Sequence, residues 1–110
     1  MRRYKMLVLS NPVAGREAEY EAWYQGVHLV QMVAIPGITS AQRFSLARPM
    51  TERQSWSYAT IYEIETDDID AVLGRVRADA GTEHLIVSDA LDTTGAYAGI
   101  YEACGAPAAR

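Results

Sequence analysis

Trp56-Ser-Tyr-Ala-Thr-Ile-Tyr-Glu-Ile-Glu65 decides the fold, because the hydrophobic period changes directly after it. Within the stretch Trp56, Tyr58, Tyr62 and Ile64 alternate with Ser57 and Glu63, the period-two pattern of a half-buried strand. Thr66-Asp-Asp68 then supplies N-cap chemistry. Ile69, Val72, Leu73, Val76 and Ala80 follow at the i, i+3, i+4, i+7 and i+11 positions of a helix, and Gly81 is a natural stop. A strand therefore runs straight into an amphipathic helix.

Working backwards, Ala47 to Gln54 carries Pro49, Thr51 and several charges and reads as a loop. Before it, Ile38 to Leu46 reads as a strand with Ile38, Ser40, Gln42 and Phe44 on one face and Thr39, Ala41, Arg43 and Ser45 on the other. Pro36-Gly37 ends a helix that starts at Arg16 and runs to about Val33, with Glu17, Glu19 and Glu21 near the end that favours acids. Ser10-Asn-Pro-Val-Ala-Gly15 is a turn closing a first strand, Tyr4 to Leu9. Working forwards, Thr82 to Gly95 is irregular and a last strand spans about Ala96 to Ala103, leaving Gly105 to Arg110 as a frayed tail.

The order is βαββαβ, the ferredoxin-like member of the α+β class, in a single domain over residues 1–110. It predicts a four-stranded antiparallel sheet with two helices on one face. The other face is left bare while still holding large apolar side chains, so a homodimer pairing sheet against sheet is expected.

Composition narrows the function. A length of 110 residues gives one domain with a real core. Net charge is −4 and no Lys/Arg cluster follows a phosphate backbone, which argues against nucleic acid. No stretch has signal-peptide or membrane-spanning character, so no membrane partner is expected and the cytoplasm is the expected compartment. The single cysteine, Cys104, permits neither an internal disulfide nor a Cys-based zinc site, and it reads as a small core residue. Seven tyrosines and two tryptophans accompany one phenylalanine, a balance that suits a cavity wall as well as sheet edges.

Several blocks, taken in order, resemble the EthD-like family of dimeric α+β barrel proteins: Ser10-Asn-Pro-Val-Ala-Gly-Arg-Glu17, Trp23-Tyr24 with His28, Ile35-Pro-Gly37 and Ser40-Ala-Gln-Arg-Phe44. The similarity continues more loosely through Ile61 to Glu65 and Ser88 to Asp92. The resemblance implies two sheets closing into a barrel, a ligand cleft in each protomer between sheet and helices, and small, often aromatic or lactone-like substrates handled without metal or organic cofactor. It also implies that His28 matches the proton-carrying histidine of characterised relatives. Where the family commonly has a proline shortly after this histidine, the chain has Leu29-Val30-Gln31, which lets the helix run on.

His28 is the leading catalytic candidate, since imidazole is acid and base near neutral pH. At about 100° per residue, Tyr20, Tyr24, Val27, Gln31 and Ala34 form one stripe with Trp23 at its margin. His28 lies at the opposite margin, about 80° around from Tyr20. That position suits a solvent-linked proton shuttle and equally a half-exposed surface histidine. Tyr24 either donates to substrate or packs on the sheet. Asn11 either meets a ligand carbonyl or makes an Asx-turn before Pro12. Arg43, on a central-looking strand, either pairs with an acid or binds a carboxylate or phenolate. Tyr58 and Tyr62, with Trp56, line either the cleft or the dimer barrel. Asp89 is a candidate from its loop block, whereas His84, Asp89 and Asp92 lack metal-ligand spacing.

The reading is a cofactor-independent enzyme of lyase or isomerase type, acting on a small aromatic or conjugated carbonyl or lactone-like compound in a catabolic or biosynthetic pathway. His28 would move a proton during isomerisation, dehydration or another elimination. Two alternatives stand beside it: a cofactor-free monooxygenase of phenolic or anthrone-like substrates, and a non-catalytic dimeric small-ligand-binding protein.

Overall fold

The pleat of strand β1 (Arg2–Pro12) is plainest in its first half, where Tyr4 and Met6 are buried while Arg3 and Lys5 are exposed, and Ser10 is buried further along. β1 is flanked on both sides, which is why it runs further than its apolar centre alone implies. The structure, a computed structural model, describes residues 1–52 and 56–110. After β1 come α1 (Glu17–Trp23), a π-helical turn (Tyr24–His28), α2 (Leu29–Val33), β2 (Ile38–Ser45), β3 (Tyr58–Thr66), α3 (Ile69–Asp79) and β4 (Leu91–Glu102). The strands form one antiparallel sheet in the order β2-β3-β1-β4. This is the ferredoxin-like arrangement. Among the described residues no helix is long and apolar enough to cross a membrane.

One face of the sheet holds the core. Tyr4 and Met6 of β1 and Tyr62 and Ile64 of β3 pack with Tyr20, Trp23, Tyr24, Leu29 and Met32 from the first helix and Val72 from α3. At the start of α3 the Asp68 carboxylate accepts the Ala71 N–H at 3.1 Å, the N-cap that the sequence announces. Gly37 has φ +99°, and a Cβ there would sit 2.8 Å from Val72 Cγ2, so the turn before β2 is both left-handed and pressed by α3.

Several expectations need correction. β2 is an edge strand rather than a central one. A bulge between Ile38 and Ser40 also moves Ile38 to the core face with Ala41, leaving Ser40, Gln42 and Phe44 outside. β3 begins at Tyr58, so Trp56 precedes it and donates its indole N–H to the Gly95 carbonyl at 2.6 Å.

β4 begins at Leu91, inside the stretch expected to be irregular. Leu9 pairs with Tyr97 but Asn11 pairs with Asp92, so the intervening residues of β4 bulge outward, and the Asp92 carboxylate accepts the Thr94 N–H at 3.0 Å. The turn chemistry is real, but it interrupts a strand instead of preceding one. Cys104 is exposed, because the chain has left the sheet by then. Of the loop expected over residues 47–54, residues 53 and 54 lie outside the described residues.

Candidate functional site

The first helix contains the feature that a uniform projection misses. Residues 24–28 form a π-turn between two α-helical segments, and the backbone stays helical through both joins. Hydrogen bonding from i to i+5 turns the chain through less than the α-helical 100° or so per residue. By residue 28 the ring has therefore fallen back from the margin toward the line of Tyr20 and Tyr24. The stripe beyond it moves by one position: Leu29 and Met32 are buried, whereas Ala34 is exposed. The helix continues to Val33, as the absence of a proline after His28 allows.

His28 is thus half-buried, with its ring turned toward the aromatic residues of the helix rather than out to solvent. Its ring lies 4.7 Å from that of Trp23 and 5.0 Å from that of Tyr24, nearly perpendicular to the latter at 88°. Its Nδ1 atom is buried and has no hydrogen-bond partner among the described residues. Burial disfavours the charged ring and lowers its pKa to about 4. The imidazole is neutral at physiological pH.

Tyr24 is the hub of what surrounds it. Its ring stands 5.3 Å from Tyr20 and lies 4.9 Å from the Arg43 guanidinium carbon, which also sits 5.1 Å from the Tyr58 ring and 5.5 Å from Tyr20. Arg43 is held by Glu21: Nη1 donates to Oε2 at 3.0 Å and Nη2 to Oε1 at 2.6 Å. Those bonds raise the arginine's pKa and lower the glutamate's. The Arg43 side chain is only 8% exposed although β2 is an edge strand, because α1 covers it. Its Nε has no hydrogen-bond partner among the described residues.

Tyr62, fully buried on β3 beside Tyr24, leaves its hydroxyl without a well-formed hydrogen bond among the described residues, and burial raises its pKa. Tyr20, by contrast, shares a 2.8 Å hydrogen bond with Ser10. The cluster therefore presents three buried polar atoms without a well-formed hydrogen bond among the described residues: His28 Nδ1, Arg43 Nε and Tyr62 Oη.

The structure brings His28, Tyr24, Arg43, Tyr58 and Tyr62 together and leaves two candidates apart. Tyr58 and Tyr62 face the helices, not the bare side. Asn11 accepts the Ser57 N–H at 2.7 Å, a bond across the sheet end rather than an Asx-turn. Asp89 is exposed and pairs with Arg16 at 2.7 Å, which lowers its pKa. A hollow of about 390 Å³, with Leu9, Phe44, Leu46 and Trp56 in its wall, opens at the β2–β3 end, and Tyr58 belongs to both the hollow and the cluster.

Sequence reasoning missed Glu21 and Ser10. Glu21 was one acid among three near a helix start, and its partner is 22 positions away on an edge strand. Among the described residues no group of three or more His, Cys, Asp or Glu could hold a metal ion.

No protein-family model and no curated protein matches the sequence. Solved structures do match. A DABB-family protein with a ferredoxin-like fold from Mesorhizobium loti superposes with a TM-score of 0.62 at 14% identity, over 96% of this chain and 100% of its own. An EthD-family protein from Bacillus halodurans gives 0.52 at 13%, over 94% and 99%. A candidate monooxygenase from Shewanella loihica gives 0.58 at 16%, over 96% and 99%. At these identities the likeness is one of architecture, and over nearly its whole length the chain has the ferredoxin-like fold of EthD- and DABB-family proteins.

Proposed function

We propose that the tyrosine cluster binds a small aromatic or conjugated carbonyl compound and that His28 moves a proton on it, in isomerisation, dehydration or another elimination. The observation that carries this reading is the set of three buried, partnerless polar atoms around Tyr24. Each costs about 1–3 kcal/mol when unpaired. A ligand offering one oxygen to Arg43 Nε and Tyr62 Oη, and a C–H to His28 Nδ1, would satisfy all of them. His28 is neutral and can accept a proton. The oxyanion formed in the same step would lie among fixed donors and beside the new imidazolium, so no net charge is added to the buried site. Asn11 and Asp89, engaged with Ser57 and Arg16, have no part in it.

The test is solvent-proton exchange. A panel of enolisable aromatic carbonyl compounds incubated with the protein in D₂O should show protein-dependent deuterium incorporation at carbon by NMR. A panel inert throughout would remove the proton-transfer reading. A second reading is favoured by the fold shared with the candidate monooxygenase: the carbanion left by the same proton abstraction would reduce O₂. Product that forms at the same rate under strict anaerobiosis excludes it.

The chain works as a homodimer in this reading. Support comes from the bare sheet face, where Leu7, Leu9, Phe44, Ile61 and Tyr97 lie across the four strands, bordered by the internally neutralised pairs Lys5–Glu63 and Arg3–Glu65. Phe44 is 44% exposed and Tyr97 38%, an apolar surface that a partner sheet would cover. Sedimentation equilibrium should give two chains per particle, and Leu7→Lys should give one. A monomeric wild type would overturn this.

A further inference from the structure

We infer that Glu21 is a specificity-determining residue: by neutralising Arg43 it reserves the tyrosine cluster for uncharged oxygen ligands, such as a ketone, enol or phenol, and closes it to carboxylates. The inference rests on the cluster being a ligand site, as proposed above, and concerns what that site selects.

A buried arginine walled by aromatic faces is ordinarily an anion receptor, since its planar fork matches a carboxylate. Here both terminal nitrogens of Arg43 already serve Glu21, at 3.0 and 2.6 Å, and the pair carries no net charge. The groups that face it from each neighbouring element add none. The π-turn contributes His28, which is neutral above about pH 4. β3 contributes Tyr58 and Tyr62, α1 contributes Tyr20 and β1 contributes Ser10, bonded to Tyr20 at 2.8 Å. Burial pushes the Tyr20 and Tyr62 phenols away from ionisation.

The unmet capacity is therefore dipolar: the Arg43 N–H at Nε, the Tyr62 hydroxyl and the His28 ring nitrogen. A carbonyl or phenol loses little hydration on entering and completes these bonds. A carboxylate would arrive as an uncompensated buried charge, the costly case. Discrimination of this kind comes from what the site refuses as much as from what it binds. Glu21 is suited to the task because it stands at the rim: its side chain is 45% exposed, while that of Arg43 is 8% exposed.

The test is calorimetric titration of the full-length protein with 2-naphthol and 2-naphthoate, two probes of matched ring size. The wild type should bind 2-naphthol at least about tenfold more tightly. Glu21→Gln should bind 2-naphthoate about tenfold or more tightly than the wild type does, with 2-naphthol changed by less than about threefold. The double variant Glu21→Gln/Arg43→Met restores neutrality and should lose the gain.

Equal binding of both probes by the wild type, an unchanged ratio in Glu21→Gln, or no binding of either probe would each overturn the inference. Should Glu21→Gln fail to fold, the wild-type ratio decides. A carboxylate preference alongside His28-dependent exchange would sink this inference alone. An uncharged-ligand preference without any exchange would sink only the proton-transfer reading.

Discussion

Replacing His28 with alanine should lower turnover about 10²- to 10⁴-fold, the range expected when a positioned general base is lost. The fold should survive. The imidazole leaves a cavity between Trp23 and Tyr24, but a buried nitrogen without a partner leaves with it, and these two effects oppose each other. The pH profile separates a chemical role from a packing role. Neutral imidazole is the active form, and burial lowers its pKa to about 4, so wild-type kcat/KM should stay flat from about pH 8 to 5. A solvent-facing histidine would instead give an acid limb near its ordinary pKa of about 6.5. Turnover unchanged in His28→Ala would end the catalytic assignment, and an acid limb near 6.5 would contradict the desolvated placing of the ring.

How far the sequence reaches depends on whether a residue's environment is local. The alternation through Tyr58, Tyr62 and Ile64 and the cap at Asp68 are settled by neighbours a few positions away, and both appear as read. The order of elements and the two-layer architecture follow from them. What was illegible came from breaks in period and from distant partners. The bulge at Ile38 and the π-turn at residues 24–28 each shift a side chain to another face, and neither Pro36-Gly37 nor Gly26 tells a periodic template that the phase changes there.

Gln31 shows the consequence. It fell in the expected buried stripe, yet it serves as a bracket: its amide donates to the Glu83 carbonyl at 2.9 Å and accepts the Ile86 N–H at 2.7 Å. The site was half legible for the same reason. The candidacies of His28, Tyr24 and Arg43 came from residue type and order, but the Glu21–Arg43 pair and the three unsatisfied atoms exist only once the chain is folded.

Lowering the pH should expose His28 in stability as clearly as in rate. Above about pH 6.5 the ring is neutral in both folded and unfolded chains, and it contributes no pH dependence. As pH falls toward 4 the unfolded chain takes up the proton first, because the folded ring holds it only below about pH 4. The unfolded state then binds more protons, so stability falls with falling pH across this window. A depression from 6.5 to about 4 corresponds to about 3 kcal/mol once the window is crossed, most of it lost by pH 4.5.

The carboxylates act lower down. Glu21, Glu17, Asp89 and Asp92 have lowered pKa values, so their contributions are lost only as pH falls below the ordinary carboxylate range. Urea unfolding at pH 7 and at pH 4.5 should therefore show a loss of about 2–3 kcal/mol in the wild type and little loss in His28→Leu. Equal losses in the two proteins would place the imidazole in water and dissolve the cluster as described. If the linkage holds while His28→Ala keeps full turnover, the ring is a buried structural element, and Arg43 and Tyr62 would have to bind their ligand without it.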